Sequence, residues 1–362
     1  MKLVNSIYYD EAFEALVVRL SEDHVFLTSL PHQPKTADSI VFKKVSGDFQ
    51  CCSGGGLSDY YSKLRGSMGL ERAIVFLTAA NVKKHLYREL PDGSTIVATV
   101  GLEPPVCPGG GAGGSNSTVN IAVLVNVALS ESGLVDILRT VVEAKSLAMA
   151  ELLLRCKFRS PGTASDAIAV GRPAALEGLE HFAGMATETG NLIASEVYRG
   201  LTSFGLELLG LEGYVYNLLG LTLEELLDVT VKVYEKAPIP GLDSERARGR
   251  LKTLITGFLK DPNVLSLIIA ARELDLRASI GSISGFTVED YEGDSVKIVA
   301  DELLASALAL YISGFKGLLA AYWVERLKEK GLLNLKLPVF EDDILSALVG
   351  SAITRLCEDS GS

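Results

Sequence analysis

Cysteine and histidine are both scarce in this chain, with five of the first and four of the second among 362 residues. Cys51, Cys52, Cys107, Cys156 and Cys357 are odd in number and contain no CxxC pair. That argues against a disulfide framework and a structural zinc site, and reduced thiols are expected. His24, His32, His85 and His181 are scattered, and no HExxH pair, GxSxG elbow or Cys/His signature appears. The usual zinc-hydrolase and serine-nucleophile solutions therefore lack support.

Positive charge is also short. Lys and Arg number 34 against 45 Asp and Glu, a formal net charge of -11, with no segregated basic patch. A nucleic-acid partner is not expected, and an anionic substrate would need a metal ion or a local cation where it binds. An apolar leader is lacking too, because Asn5, Ser6 and Asp10 fall where one would run. Export is not expected, and the reading places the protein in the cytoplasm with small-molecule partners. One apolar run, 303–324, is long enough for a membrane span, but Lys316, Ser306, Ser313, Gly314 and Gly317 interrupt it. We expect buried helices there and no membrane association.

What is present describes two globular domains. A chain of 362 residues exceeds what one hydrophobic core usually supports. β-rich runs at 15–20, 39–44, 72–79, 95–101, 118–127 and 166–170 alternate with helical patterns at 57–68, 130–155 and 178–201, which predicts a strand-rich α/β domain over 1–208. Beyond it the period becomes 3.6. Helices are predicted at 221–235, 243–259, 262–274, 295–330 with a break near Gly314, and 341–356, giving an all-helical domain over 209–362.

Two glycine clusters invite a phosphate or nucleotide reading. Gly109, Gly111 and Gly114 match GxGxxG, but a strand follows where a dinucleotide site needs a helix, so the segment 103–117 reads as a mobile flap. Ser53, Gly54, Gly55 and Gly56 precede a predicted helix, where free N–H groups can hold an oxygen; a plain tight turn fits equally. Glu143 and Lys145, two residues apart on a helix, must point in different directions.

Leu77-Thr-Ala-Ala80, the strand from Thr118, Glu143-Ala-Lys145 and the run from Gly162 to Val170 together resemble the adenosylcobinamide amidohydrolase family in order and spacing. The resemblance implies hydrolysis of the amide that joins a corrin carboxylate to an aminopropanol arm. Such chemistry needs a base, a positioned water or nucleophile, and donors for the oxyanion. Glu143 or Asp166 is the candidate base. Thr78, Thr163 or Asn120 orients substrate or water, Lys145 contacts substrate, and the backbone of Gly54, Gly55 and Gly56 binds the amide oxygen.

In the second half, Asp301-Glu302 interrupts an apolar pattern and Glu341-Asp342-Asp343 opens the last helix. Acids in a first turn offset the helix dipole, which is reason enough for the second group; the first pair is harder to explain without a cation. Asp301-Glu302, Gly314-Phe-Lys316-Gly317, Glu325-Arg326-Leu-Lys328 and Asp342-Asp343 resemble the α-ribazole-5′-phosphate phosphatases, relatives of the membrane-bound phosphatidylglycerophosphatase A family, over 215–358. The resemblance implies magnesium held by Asp301, Glu302, Asp342 and Asp343; from the residues themselves, Lys316, Arg326 and Lys328 are candidate phosphate contacts and Glu325 is either a further ligand or an ion-pair partner. Leu303-Leu-Ala stands where the lipid phosphatases usually carry a glycine, which counts against a lipid substrate. The two halves thus resemble a fusion of two hydrolases of cobamide assembly. The rival readings are a membrane lipid phosphatase and a non-catalytic corrinoid-binding protein.

Overall fold

The computed structural model describes residues 2–49, 56–110, 117–176, 180–333 and 335–360. The chain divides into two compact units, Met1–Leu208 and Leu209–Ser362. A strand-rich mixed sheet and helices stand in the first and helices alone in the second, the fold class expected from the sequence.

The first unit contains β1 (Val4–Asp10), β2 (Ala15–Thr28), β3 (Thr36–Lys44), α1 (Gly56–Met68), β4 (Ala73–Thr78), β5 (Leu86–Glu89) and β6 (Thr95–Val100). It continues through β7 (Pro105–Val106), β8 (Val119–Leu124), α2 (Glu131–Glu151), β9 (Gly162–Thr163) and β10 (Ala167–Pro173). β1 and β5 are absent from the sequence-based expectation, and the helix expected at 178–201 begins only at Glu188 as α3 (Glu188–Leu219).

The main sheet runs β4-β3-β2-β10-β8-β6-β5, with β1 added to β2. Alternation along the strands explains its packing. Ile40, Phe42, Ile74 and Phe76 turn to one face, while Val41, Ala73 and Val75 turn to the other against Tyr61 and Leu64 of α1. With both faces covered, β4 reads as the unbroken apolar run Ala-Ile-Val-Phe-Leu.

The sheet is curled. Strands β4 and β8 are four steps apart in the order, about 19 Å in a flat sheet. Yet Asn120 Nδ2 on β8 donates to Leu77 O on β4 at 2.9 Å. Phe42 and Phe76, stacked with centroids 4.7 Å apart, belong to the same cluster as Val97, Ala122 and Leu124. A register shift between Arg19 and His24 interrupts the pairing of β2 with β3, the kind of bulge that bends a sheet.

Cys107 and Cys156 are joined in a disulfide, which corrects the expectation of reduced thiols for this pair. The two lie 49 residues apart, and pairing of β7 with β9 brings their segments together, a contact invisible to spacing rules. The stem of the expected flap is thus tethered. Cys51 and Cys52 lie outside the described residues, and Cys357 is free and exposed.

The second unit takes the end of α3, which breaks at Gly210. It then contains α4 (Leu223–Tyr234), α5 (Ser244–Phe258), α6 (Pro262–Ala278), α7 (Val288–Glu292), α8 (Ala300–Glu329) and α9 (Val339–Ser360). Side-chain caps fix the starts of α4, α5 and α6: Thr222 in a capping box with Glu225, then Asp243 and Asp261. Helix α8 is two arms. Ser313 and Gly314 leave helical geometry, Gly314 at φ 65 and ψ -157, a conformation open essentially to glycine alone. The run 303–324 is therefore broken where a single straight span would need continuity. By length and composition Ala300–Glu329 is nevertheless apolar enough to cross a membrane, and Leu303, Phe315, Leu319 and Tyr322 are exposed on it.

Candidate functional site

Curling of the sheet creates a cavity of about 280 Å³ in the first unit. Leu30, Pro31, Val45, Phe49, Leu57 and Tyr61 form apolar wall, and Thr78, Thr118, Asn120 and Ser165 supply polar groups. The cavity is open and mostly apolar with a few convergent polar atoms, as small-molecule sites generally are. Thr78 Oγ1 accepts the Ala80 N–H at 3.0 Å, which orients the hydroxyl and leaves its own proton to donate. Asn120 Oδ1 accepts from Thr118 at 2.9 Å while its amide holds Leu77 O. Two of the expected residues, Thr78 and Asn120, thus meet in one cavity.

Beside Thr118 and Ser165 lies a buried charge pair. Lys145 Nζ donates to Asp166 Oδ2 at 2.5 Å, with about a tenth of each side chain exposed. Asp166 also accepts from Val119 N at 2.9 Å, from Thr163 N at 3.1 Å and from Thr163 Oγ1 at 2.5 Å. Carboxylate, hydroxyl and ammonium form a hydrogen-bonded chain in which the hydroxyl proton is directed at the carboxylate. Gly162 makes room for it, since a Cβ there would fall 2.0 Å from Asp166 Oδ2 and 2.6 Å from Lys145 Nζ.

Glu143 is placed elsewhere. It pairs with Arg139 at 3.1 Å, half-exposed on α2, whereas Lys145 turns inward to Asp166; the cavity's own lining holds Ser165 and Ala167 on either side of Asp166, but not Asp166, Thr163, Lys145 or Glu143. Gly56 begins α1, whose Leu57 lines the cavity, while Gly54 and Gly55 lie outside the described residues.

The second unit assembles the acidic residues. A straight helix would set Asp301 and Glu325 about 36 Å apart. Carboxylate oxygens of both lie within 4.8 Å of one on Asp343, so the Gly314 break must fold α8 back on itself. Asp301, Glu302 and Asp343 form one group and Glu325, Asp342 and Asp343 another. The first pair opens α8 instead of interrupting it, contrary to the expectation from 295–330, so two helix N-termini converge here with their favourable dipoles.

Those dipoles leave a charge deficit. Burial, followed by the charges of Glu325 and Asp301, pushes the Asp343 carboxyl up to about 7. Burial, with Glu302 next, raises Asp301 to about 6. Burial also raises Asp342, against the pull of Lys328, and Asp342 Oδ1 is buried with no hydrogen-bond partner. An all-oxygen set with an orphaned acceptor and carboxylates short of counter-charge suits a hard divalent cation such as magnesium.

Of the three expected phosphate contacts, Lys316 pairs with Glu358 and Arg326 with Glu329, both well exposed. Lys328 is instead buried among the carboxylates, 2.5 Å from Asp342 Oδ2 and 2.8 Å from Glu325 Oε1. Sequence reasoning missed the support beneath them. Asp275 on α6 accepts the N–H groups of Phe340 and Glu341 at 3.1 and 2.9 Å, and the fully buried Glu341 meets Arg272 at 3.0 Å. Glu341 is thus a tertiary anchor as well as a first-turn acid. An Asp three residues before a helix end gave no signal of this.

No curated protein matches the chain. Among solved structures, the low temperature requirement C protein of Listeria monocytogenes is 18% identical with a TM-score of 0.35, covering 42% of this chain and 95% of its own. The protein ypjQ of Bacillus subtilis is 18% identical with a TM-score of 0.34 and the same coverage. Likenesses this low inform neither unit. The family model for adenosylcobinamide amidohydrolase matches residues 3–207, the extent of the first unit and its cavity. The chain belongs to the adenosylcobinamide amidohydrolase family.

Proposed function

We propose that the chain is a bifunctional hydrolase of cobamide metabolism. Its first unit cleaves the aminopropanol amide of adenosylcobinamide to give adenosylcobyric acid. Its second removes phosphate, with magnesium, from α-ribazole 5′-phosphate or adenosylcobalamin 5′-phosphate.

For the amide, Asp166 is the better placed of the two candidate bases, because Thr163 Oγ1 already donates to it. It takes the proton of Thr163 or of a water held there, Lys145 holds the carboxylate in place, and Thr78 and Asn120 present donors to the amide oxygen. Asp166→Asn should abolish hydrolysis of adenosylcobinamide while Glu143→Gln retains it; the reverse result rejects this assignment.

For the phosphate ester, the observation that carries the reading is the convergence of four carboxylates, those of Asp301, Glu302, Glu325 and Asp342, on Asp343. Bound there, magnesium supplies a Lewis acid for the phosphoryl oxygens and a water of lowered pKa. Asp301, Glu302 and Asp343 would hold it, with Asp342 beside them, and Asp275 with Arg272 fixes the start of α9, the helix that carries Asp342 and Asp343. The test is phosphate release from α-ribazole 5′-phosphate with and without magnesium, comparing Asp343→Asn with the parent. Magnesium-dependent release lost in the variant supports the reading, and none in the parent rejects it.

A further inference from the structure

We infer that Lys328 is a built-in cation filling one of two adjacent cation positions, so that the second unit takes up a single divalent ion, between Asp301, Glu302 and Asp343. The inference rests on the magnesium reading and deepens it by fixing how many ions bind and where.

The carboxylates form two groups that share Asp343. In the group of Glu325, Asp342 and Asp343 a positive charge is already in place. Lys328 Nζ lies 2.5 Å from Asp342 Oδ2, 2.8 Å from Glu325 Oε1, 3.1 Å from Ser346 Oγ and 3.3 Å from Asp342 O. An ammonium has three protons, so four acceptors leave none for a substrate phosphate. The side chain is 11% exposed. A divalent ion in that group would have to expel the ammonium from its contacts or stand beside it, and two cations so close repel strongly when partly buried.

The group of Asp301, Glu302 and Asp343 differs. Among the described residues no lysine or arginine pairs with any of the three, so this position retains its need for positive charge. Glu302 is exposed and a third of Glu325 is exposed, so solvent screens part of the remaining negative charge.

Manganese(II) is the probe, with the whole chain, counted by equilibrium calorimetry and observed by electron paramagnetic resonance. The parent should bind one ion. Lys328→Met should bind two, with the exchange-coupled spectrum of neighbouring ions, because Asp343 then bridges both positions. Two ions in the parent, or one in a folded Lys328→Met, overturns the inference and leaves the magnesium reading intact. Should that variant fail to fold, Asp301→Asn decides: loss of the parent's single ion supports the assignment, and an undiminished ion overturns it. No binding by the parent sinks the magnesium reading and this inference together.

Discussion

Lys145 and Asp166 meet at 2.5 Å with nine-tenths of each side chain buried, joining the middle of α2 to the loop before β10. Removing one partner of such a pair strands the other charge, at a cost of roughly 3–5 kcal/mol. Lys145→Met should lose stability on that scale in urea unfolding. The double variant Lys145→Met, Asp166→Leu should be less unstable than the sum of the single changes, and strict additivity would show that the pair is not coupled.

Gly162 tests whether this pair serves the chemistry as well as the fold. A methyl group there would overlap Asp166 Oδ2 and Lys145 Nζ, so Gly162→Ala must displace the carboxylate. Misplacement near 1 Å costs on the order of 100-fold in rate. Adenosylcobinamide hydrolysis should fall by about that factor with little change in KM, while an unaffected kcat would place the reacting groups elsewhere.

His24, fully buried on β2, gives the first unit an acid-side weakness. Burial lowers its pKa below 6.5, so the folded chain holds the ring neutral and the unfolded chain protonates it more readily. Stability is then fully present above about 6.5 and is lost as pH falls below it. Nε2 has no hydrogen-bond partner, so His24→Leu gives up one side-chain hydrogen bond, from Nδ1 to Glu22 O at 2.9 Å. Thermal midpoints measured from about pH 7 down to about pH 5 should decline less in the variant than in the parent. Equal declines would mean that other groups dominate.

Gly314 carries the reversal of α8. At φ 65 and ψ -157 an alanine is strained by about 1–3 kcal/mol. Gly314→Ala should lower the unfolding free energy of the second unit accordingly and weaken binding of manganese(II), since Asp301 and Glu325 meet only because the chain turns there. Unchanged affinity in a destabilised variant would separate the turn from the centre.

Much of this was legible before any coordinates. The 3.6 period located the later helices, Ser130 was readable as the cap of α2, and Asp301-Glu302 stood out as a charge pair lacking a reason. What was not legible depends on tertiary neighbours. Strand β1, Val-Asn-Ser-Ile-Tyr-Tyr-Asp, buries only Val4 fully and mixes exposed with part-buried residues, so it shows no clean alternation. Lys328 reads from sequence as a phosphate contact because nothing local reveals that Asp342, fourteen residues on, folds back onto it. Asp275 was passed over for the same reason, being 65 residues from the N–H it caps.

The curled sheet has a consequence for assembly. Its cavity draws walls from residues between Leu30 and Ala167, and hydrogen bonds such as Thr28 to Ile168, 140 positions apart, must form before those walls stand together. Contacts so distant in sequence close slowly, and no fragment of the sheet contains the binding surface. A ligand of this cavity therefore recognises only the finished unit, and its grip adds to the free energy of unfolding that unit as a whole.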